Sequence, residues 1–87
     1  METPIRRYYI ATMTENERNF ANRVLRTLNS IADPRTGIVD IDWTELINAV
    51  RILTGLEAID SYKLLKKMEE FGAIQLKPFV RVLRSEI

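Results

Sequence analysis

Tyr62, Lys63, Lys66 and Lys67 stand close together in the chain, and Lys77 and Arg81 follow soon after. Side chains three and four residues apart share one face of a helix. Basic groups along such a face can neutralise phosphates, while a tyrosine at Tyr62 donates to a phosphate or packs on a sugar. The competing reading is a solvated face whose lysines pair with Glu69 and Glu70. Near the N-terminus, Arg6 and Arg7 precede Tyr8 and Tyr9. A basic-aromatic arm of this kind can enter a minor groove or pack across a dimer partner. It can equally fold back with Tyr8 and Ile5 on the core, and the residue types fit all three readings.

Other chemistry finds little to work with. The chain has no cysteine and no histidine. Disulfides, thiolate chemistry, histidine bases and nearly every zinc site are excluded. Asp40 and Asp42 could be offered as a metal pair, but Asp42 is better read as a helix cap and no further carboxylate converges in sequence. The hydroxyls have no histidine partner, and three scattered glycines do not make a phosphate-cradling loop. No catalytic residue, cofactor or metal is expected.

Eighty-seven residues make one domain. A chain of this size buries only about 60% of its unfolded surface, so a second subunit would help it. It is 46% hydrophobic and 29% charged, ordinary for a globular domain. Thirteen Lys and Arg oppose twelve Asp and Glu. A large basic field is therefore excluded, and any nucleic-acid binding must come from local segregation of charge. Arg outnumbers Lys nine to four with a single Gln, a hint of a hot environment that five Asn oppose. "METPIRRYYI" predicts no secretory leader, and no apolar run approaches membrane-spanning length. The expected setting is cytoplasmic, with no membrane partner.

The elements that must position these residues are legible. Residues 1–13 read as an arm and residues 14–87 as the domain. "TENE" from Thr14 to Glu17 is a capping box, and Phe20, Ala21, Val24, Leu25, Leu28 and Ile31 then form an apolar stripe. Pro34 and Gly37 end that helix. "IVDI", residues 38–41, predicts a strand. Asp42 with Glu45 caps a second helix whose buried stripe is Trp43, Leu46, Ile47, Val50 and Leu53, closed by Gly55. A third helix is predicted from about Glu57 to Phe71. It turns Ser61, Leu64, Leu65 and Met68 inward and Lys63, Lys66, Lys67 and Glu70 outward. Gly72 ends it, and "AIQL" and "FVRVLR" make two strands around Lys77-Pro78.

The order helix, strand, helix, helix, strand, strand resembles the winged helix-turn-helix superfamily over roughly residues 14–85. The closest local likeness is "GLEAIDSYKLLKKMEEFGAI", residues 55–74. The resemblance implies an α+β fold of three helices with a small antiparallel sheet of two or three strands, with "IVDI" as the third strand. It implies a recognition helix at about 57–71, a wing at 73–84, and a small archaeal or viral type DNA-binding protein, a dimeric transcription regulator on double-stranded DNA. The same scaffold also serves as a protein-interaction module, an accessory subunit of a replication, transcription or division complex. Three departures bear on the choice. Glu57 and Asp60 occupy the first turn of the recognition helix and repel phosphate. The wing is minimal, with Lys77 near its tip. The apolar spacing of the second helix is offset by about one, which predicts a lengthened inter-helix turn.

Overall fold

Two capping boxes begin the first two helices. Glu17 N–H donates to Thr14 Oγ1 at 3.1 Å, and Thr14 N–H donates to Glu17 Oε1 at 2.8 Å. Asp42 and Glu45 repeat the exchange at 2.8 and 3.0 Å. Each box satisfies two backbone donors that a helix start would otherwise leave open. The computed structural model describes residues 12–87. The expectations for Arg6, Arg7, Tyr8 and Tyr9 lie outside the described residues.

The elements are α1 (Glu15–Ile31), β1 (Ile38–Val39), α2 (Trp43–Thr54), α3 (Ala58–Glu70), β2 (Ile74–Gln75) and β3 (Val80–Val82). This is an α+β fold of three helices and one three-stranded antiparallel sheet in the order β1-β3-β2. Ile38 pairs with Arg81 and Val39 with Val80; Ile74 pairs with Val82 and Gln75 with Arg81. The upstream strand thus joins the C-terminal ribbon, as expected. It is shorter than "IVDI", because Ile41 N–H turns back to Val39 C=O at 3.0 Å and Asp42 already caps α2. Among the described residues, no helix is long and apolar enough to cross a membrane.

The core lies between the helices and one face of the sheet. Leu25 and Leu28 of α1, Leu46 and Val50 of α2, and Leu65 and Met68 of α3 are fully buried; Val39, Ile74 and Val80 close it from the sheet. Two expected core residues are outside it. Ile31 is 61% exposed. At about 100° per residue it sits roughly 60° from Leu28, and it is the last residue of α1. Trp43 is 43% exposed. It is the first residue of α2, a full turn before Leu46, where Tyr62 meets it in place of the core.

The connections are tight for identifiable reasons. Gly37 (φ 77°) brings β1 against β3: its C=O accepts from Val82 N–H at 2.8 Å, and a Cβ there would lie 2.7 Å from Val82 O. The turn between α2 and α3 is only Gly55–Glu57, contrary to the expected lengthening. Gly55 reverses the chain at once with φ 79°, and Thr54 Oγ1 both donates to Val50 C=O and accepts from Leu56 N–H. Gly72, with φ 76°, ends α3, and Ala73 N–H returns to Met68 C=O at 3.0 Å. Ala73 C=O in turn accepts from Leu83 N–H at 2.9 Å, so the end of the third helix is tied directly to the end of β3.

Candidate nucleic-acid interface

Burial of Ser61, Leu64, Leu65 and Met68 fixes the rotation of α3. Ile59, Tyr62, Lys63 and Glu70 are therefore exposed and Lys66 is half-buried. The β2–β3 connection folds toward the same side. Gln75 Nε2 donates to Lys77 C=O at 2.8 Å across this short turn, in which the Lys77-Pro78 bond is cis. Tyr62, Lys66 and Lys77 line one cavity of about 300 Å³ together with Trp43 and Leu76. Three of the predicted site residues, from a helix and a hairpin, are thus brought to one place.

The other predicted residues are distributed differently. Lys63 is exposed on α3 and makes no ion pair among the described residues. Lys67 turns toward α1, where its Nζ binds both oxygens of Glu17 at 2.8 and 2.9 Å. Arg81 lies in the central strand, its guanidinium carbon 5.2 Å from the Phe79 ring centroid. Its Nε is buried and has no hydrogen-bond partner among the described residues. Arg81 therefore belongs to the sheet and does not line the cavity.

Lys66 Nζ contacts Glu69 Oε1 at 2.9 Å, and that hydrogen bond holds its pKa above the ordinary lysine value. The group stays protonated. An exposed pair of this kind contributes little to stability, so Glu69 competes only weakly with an incoming anion. Glu57 and Asp60 are exposed at the start of α3. All four lysines of the chain lie between residues 63 and 77. The helix is acidic at its beginning, basic through its middle at Lys63, Lys66 and Lys67, and closed by Glu69 and Glu70.

Sequence reasoning missed Trp43. Its ring stands 5.8 Å from that of Tyr62 at an interplanar angle of 78°. The pair forms a ridge between the lysine-lined cavity and a second depression of about 530 Å³, which includes Ile47, Arg51 and Ile59. Its position at the first residue of a helix was the available signal, because side chains there can overhang the core. Among the described residues no cluster of three or more acidic side chains is arranged to hold a metal ion.

These features define a class: a small α+β domain whose third helix and following hairpin share a lysine-rimmed aromatic cavity. The chain is 29% identical over 65 residues to a protein of Acidianus two-tailed virus described as uncharacterized protein ORF98a. The match covers 75% of this chain and 66% of that relative, just under two thirds of its length. No protein-family model matches the chain. No solved structure matches it.

Proposed function

We propose that this chain is a winged helix-turn-helix protein that binds double-stranded DNA and regulates transcription. The observation that carries this reading is the convergence of Tyr62 and Lys66 of α3 with Lys77 of the hairpin. The three-residue turn between α2 and α3 supports it, because helix-turn-helix pairs use turns of about three to four residues. So does the sheet order β1-β3-β2, which puts the hairpin directly after α3 with an upstream strand at its edge.

In this reading α3 lies in the major groove and the Lys77 turn touches the adjacent backbone. Lys63, Lys66 and Lys77 each neutralise a phosphate. Glu57 and Asp60 repel DNA at the start of α3 and Glu70 at its end, so the helix engages through its middle. A homodimer would present two such helices to a two-fold operator. The test is a titration of mixed-sequence duplex at several salt concentrations. Three phosphate contacts give a slope of log K against log salt of about −2.7. Absence of salt-dependent binding overturns the reading.

A second reading is favoured by a different observation. Ile52 is 83% exposed, and Ile59, Trp43 and Tyr62 are exposed on the same two helices. Trp43, Ile47, Ile59 and Tyr62 line one depression, and exposed apolar surface of this sort marks protein contacts. In that case the chain is an accessory subunit, and Ile52→Lys with Ile59→Lys abolishes recovery of a partner from native lysate while DNA affinity stays at background.

A further inference from the structure

Trp43 and Tyr62 stand nearly perpendicular, so their rings form two walls of a corner. Leu76, almost fully buried, contributes an apolar surface between them and the hairpin. Lys66 enters from α3 and Lys77 from the β2–β3 turn, and no carboxylate lines the cavity. The corner is also preorganised. Trp43 directly follows the Asp42 cap, whose reciprocal bonds with Glu45 fix the start of α2. A platform held this way loses little conformational freedom when a ligand arrives.

We propose that this cavity seats one unpaired nucleotide, its base stacked on the aromatic corner and the phosphates on its two sides held one by Lys66 and the other by Lys77. The inference deepens the nucleic-acid reading and rests on it. A planar base laid on one ring meets the other ring with its edge, so both aromatics are used. The two flanking phosphates use one ammonium group each. An apolar peptide would cover the aromatics and desolvate the Lys77 ammonium, which has no ion pair among the described residues, and that is costly. Bases inside a continuous duplex are stacked on their neighbours and must be extruded to reach such a site, whereas a base already unpaired is spared that cost. The protein therefore favours a duplex interrupted by an unpaired nucleotide over a continuous one.

Trp43 is the single tryptophan of the chain, so its emission reports on this site alone. The full chain is titrated with a duplex bearing one unpaired thymine, with the same duplex abasic at that position, and with the continuous duplex. The thymine duplex should quench Trp43 and bind about tenfold more tightly than the abasic one, within the range of base–aromatic stacking. Measured by anisotropy of labelled DNA, Trp43→Ala should bring that ratio to about one and Trp43→Phe should retain part of it. Circular dichroism of both variants establishes that they fold; if Trp43→Ala does not, Tyr62→Leu takes its place. Equal affinity for thymine and abasic duplexes overturns the subsite and leaves the duplex reading standing. Tight binding of the thymine duplex without binding of the continuous one supports the subsite and overturns the duplex reading. Failure to bind any of the three at low salt overturns both and assigns the aromatic corner to a protein partner.

Discussion

Lys67 Nζ lies 2.8 Å from Glu17 Oε2, across fifty positions of sequence, and Glu17 Oε1 also accepts the Thr14 N–H. One carboxylate thus closes the capping box of α1 and anchors the C-terminal half of α3. That double use commits the Lys67 ammonium to α1, while that of Lys63 makes no ion pair among the described residues. The basic run "KLLKK" is divided between a structural role and an outward one.

The pair predicts a pH dependence. The Lys67 ammonium, followed by the Thr14 backbone N–H, holds the Glu17 carboxyl below its ordinary value of 4.5. A depressed carboxyl pKa contributes stability that is fully present above the unfolded value and lost as pH falls through the lower folded value. Both partners are about one-third exposed, so solvent limits the contribution to about 0.2–1 kcal/mol. Glu17→Gln preserves the capping geometry and removes the charge. Its melting temperature should lie below that of the wild type at neutral pH. The gap should narrow as pH drops below 4.5. A gap that persists unchanged in acid would show that the charge is not the cause.

The glycines predict a ranking. A Cβ at Gly72 or Gly55 meets nothing within 4 Å, so alanine there suffers only the left-handed backbone, about 1–2 kcal/mol. At Gly37 a Cβ would lie 2.7 Å from the Val82 carbonyl, and the β1–β3 pairing must shift as well. Gly37→Ala should therefore destabilise more than Gly72→Ala, by urea denaturation of each variant. Gly72→Val should exceed Gly72→Ala, because a β-branched residue tolerates positive φ least.

Ser61 is fully buried, and its Oγ has no hydrogen-bond partner among the described residues. An unsatisfied buried hydroxyl costs about 1–3 kcal/mol, and alanine also favours a helix interior. Ser61→Ala should raise the melting temperature without altering any surface. A lowered melting temperature would mean that the hydroxyl has a partner in solution.

The parts of this fold legible in the sequence are those governed by local chemistry. Thr14 with Glu17 and Asp42 with Glu45 announce helix starts because the cap and its partner are three residues apart. Gly37, Gly55 and Gly72 announce reversals because each takes a positive φ that other residues resist. Periodicity placed the buried face of α3 correctly, since Ser61, Leu64, Leu65 and Met68 all point inward. It failed at helix ends, where Ile31 and Trp43 keep the phase of their stripes approximately but have no core beside them. The candidate site was half legible. Spacing identified Tyr62, Lys63 and Lys66 as outward residues. It could not foresee that Lys67 would find Glu17 or that Trp43 would meet Tyr62, because both contacts join residues far apart in the chain.

Charge changes on the lysines separate the roles assigned here. If Lys63, Lys66 and Lys77 each hold a phosphate, Lys66→Ala with Lys77→Ala should reduce the salt slope by about 1.8 and weaken binding on every duplex tested. Lys67→Met should leave the slope unchanged, because that ammonium is already committed to Glu17, and should instead lower the melting temperature. Arg81→Lys should likewise spare the slope, since its side chain packs over Phe79 on the sheet. Asp60→Asn removes a repulsion at the start of α3 and should tighten non-specific binding. The decisive comparison is Lys66 with Lys67, neighbours in sequence with similar exposure and different partners. Loss of slope in Lys67→Met equal to that in Lys66→Ala would mean that DNA reads the whole basic run and that the division between α1 and the cavity does not govern binding.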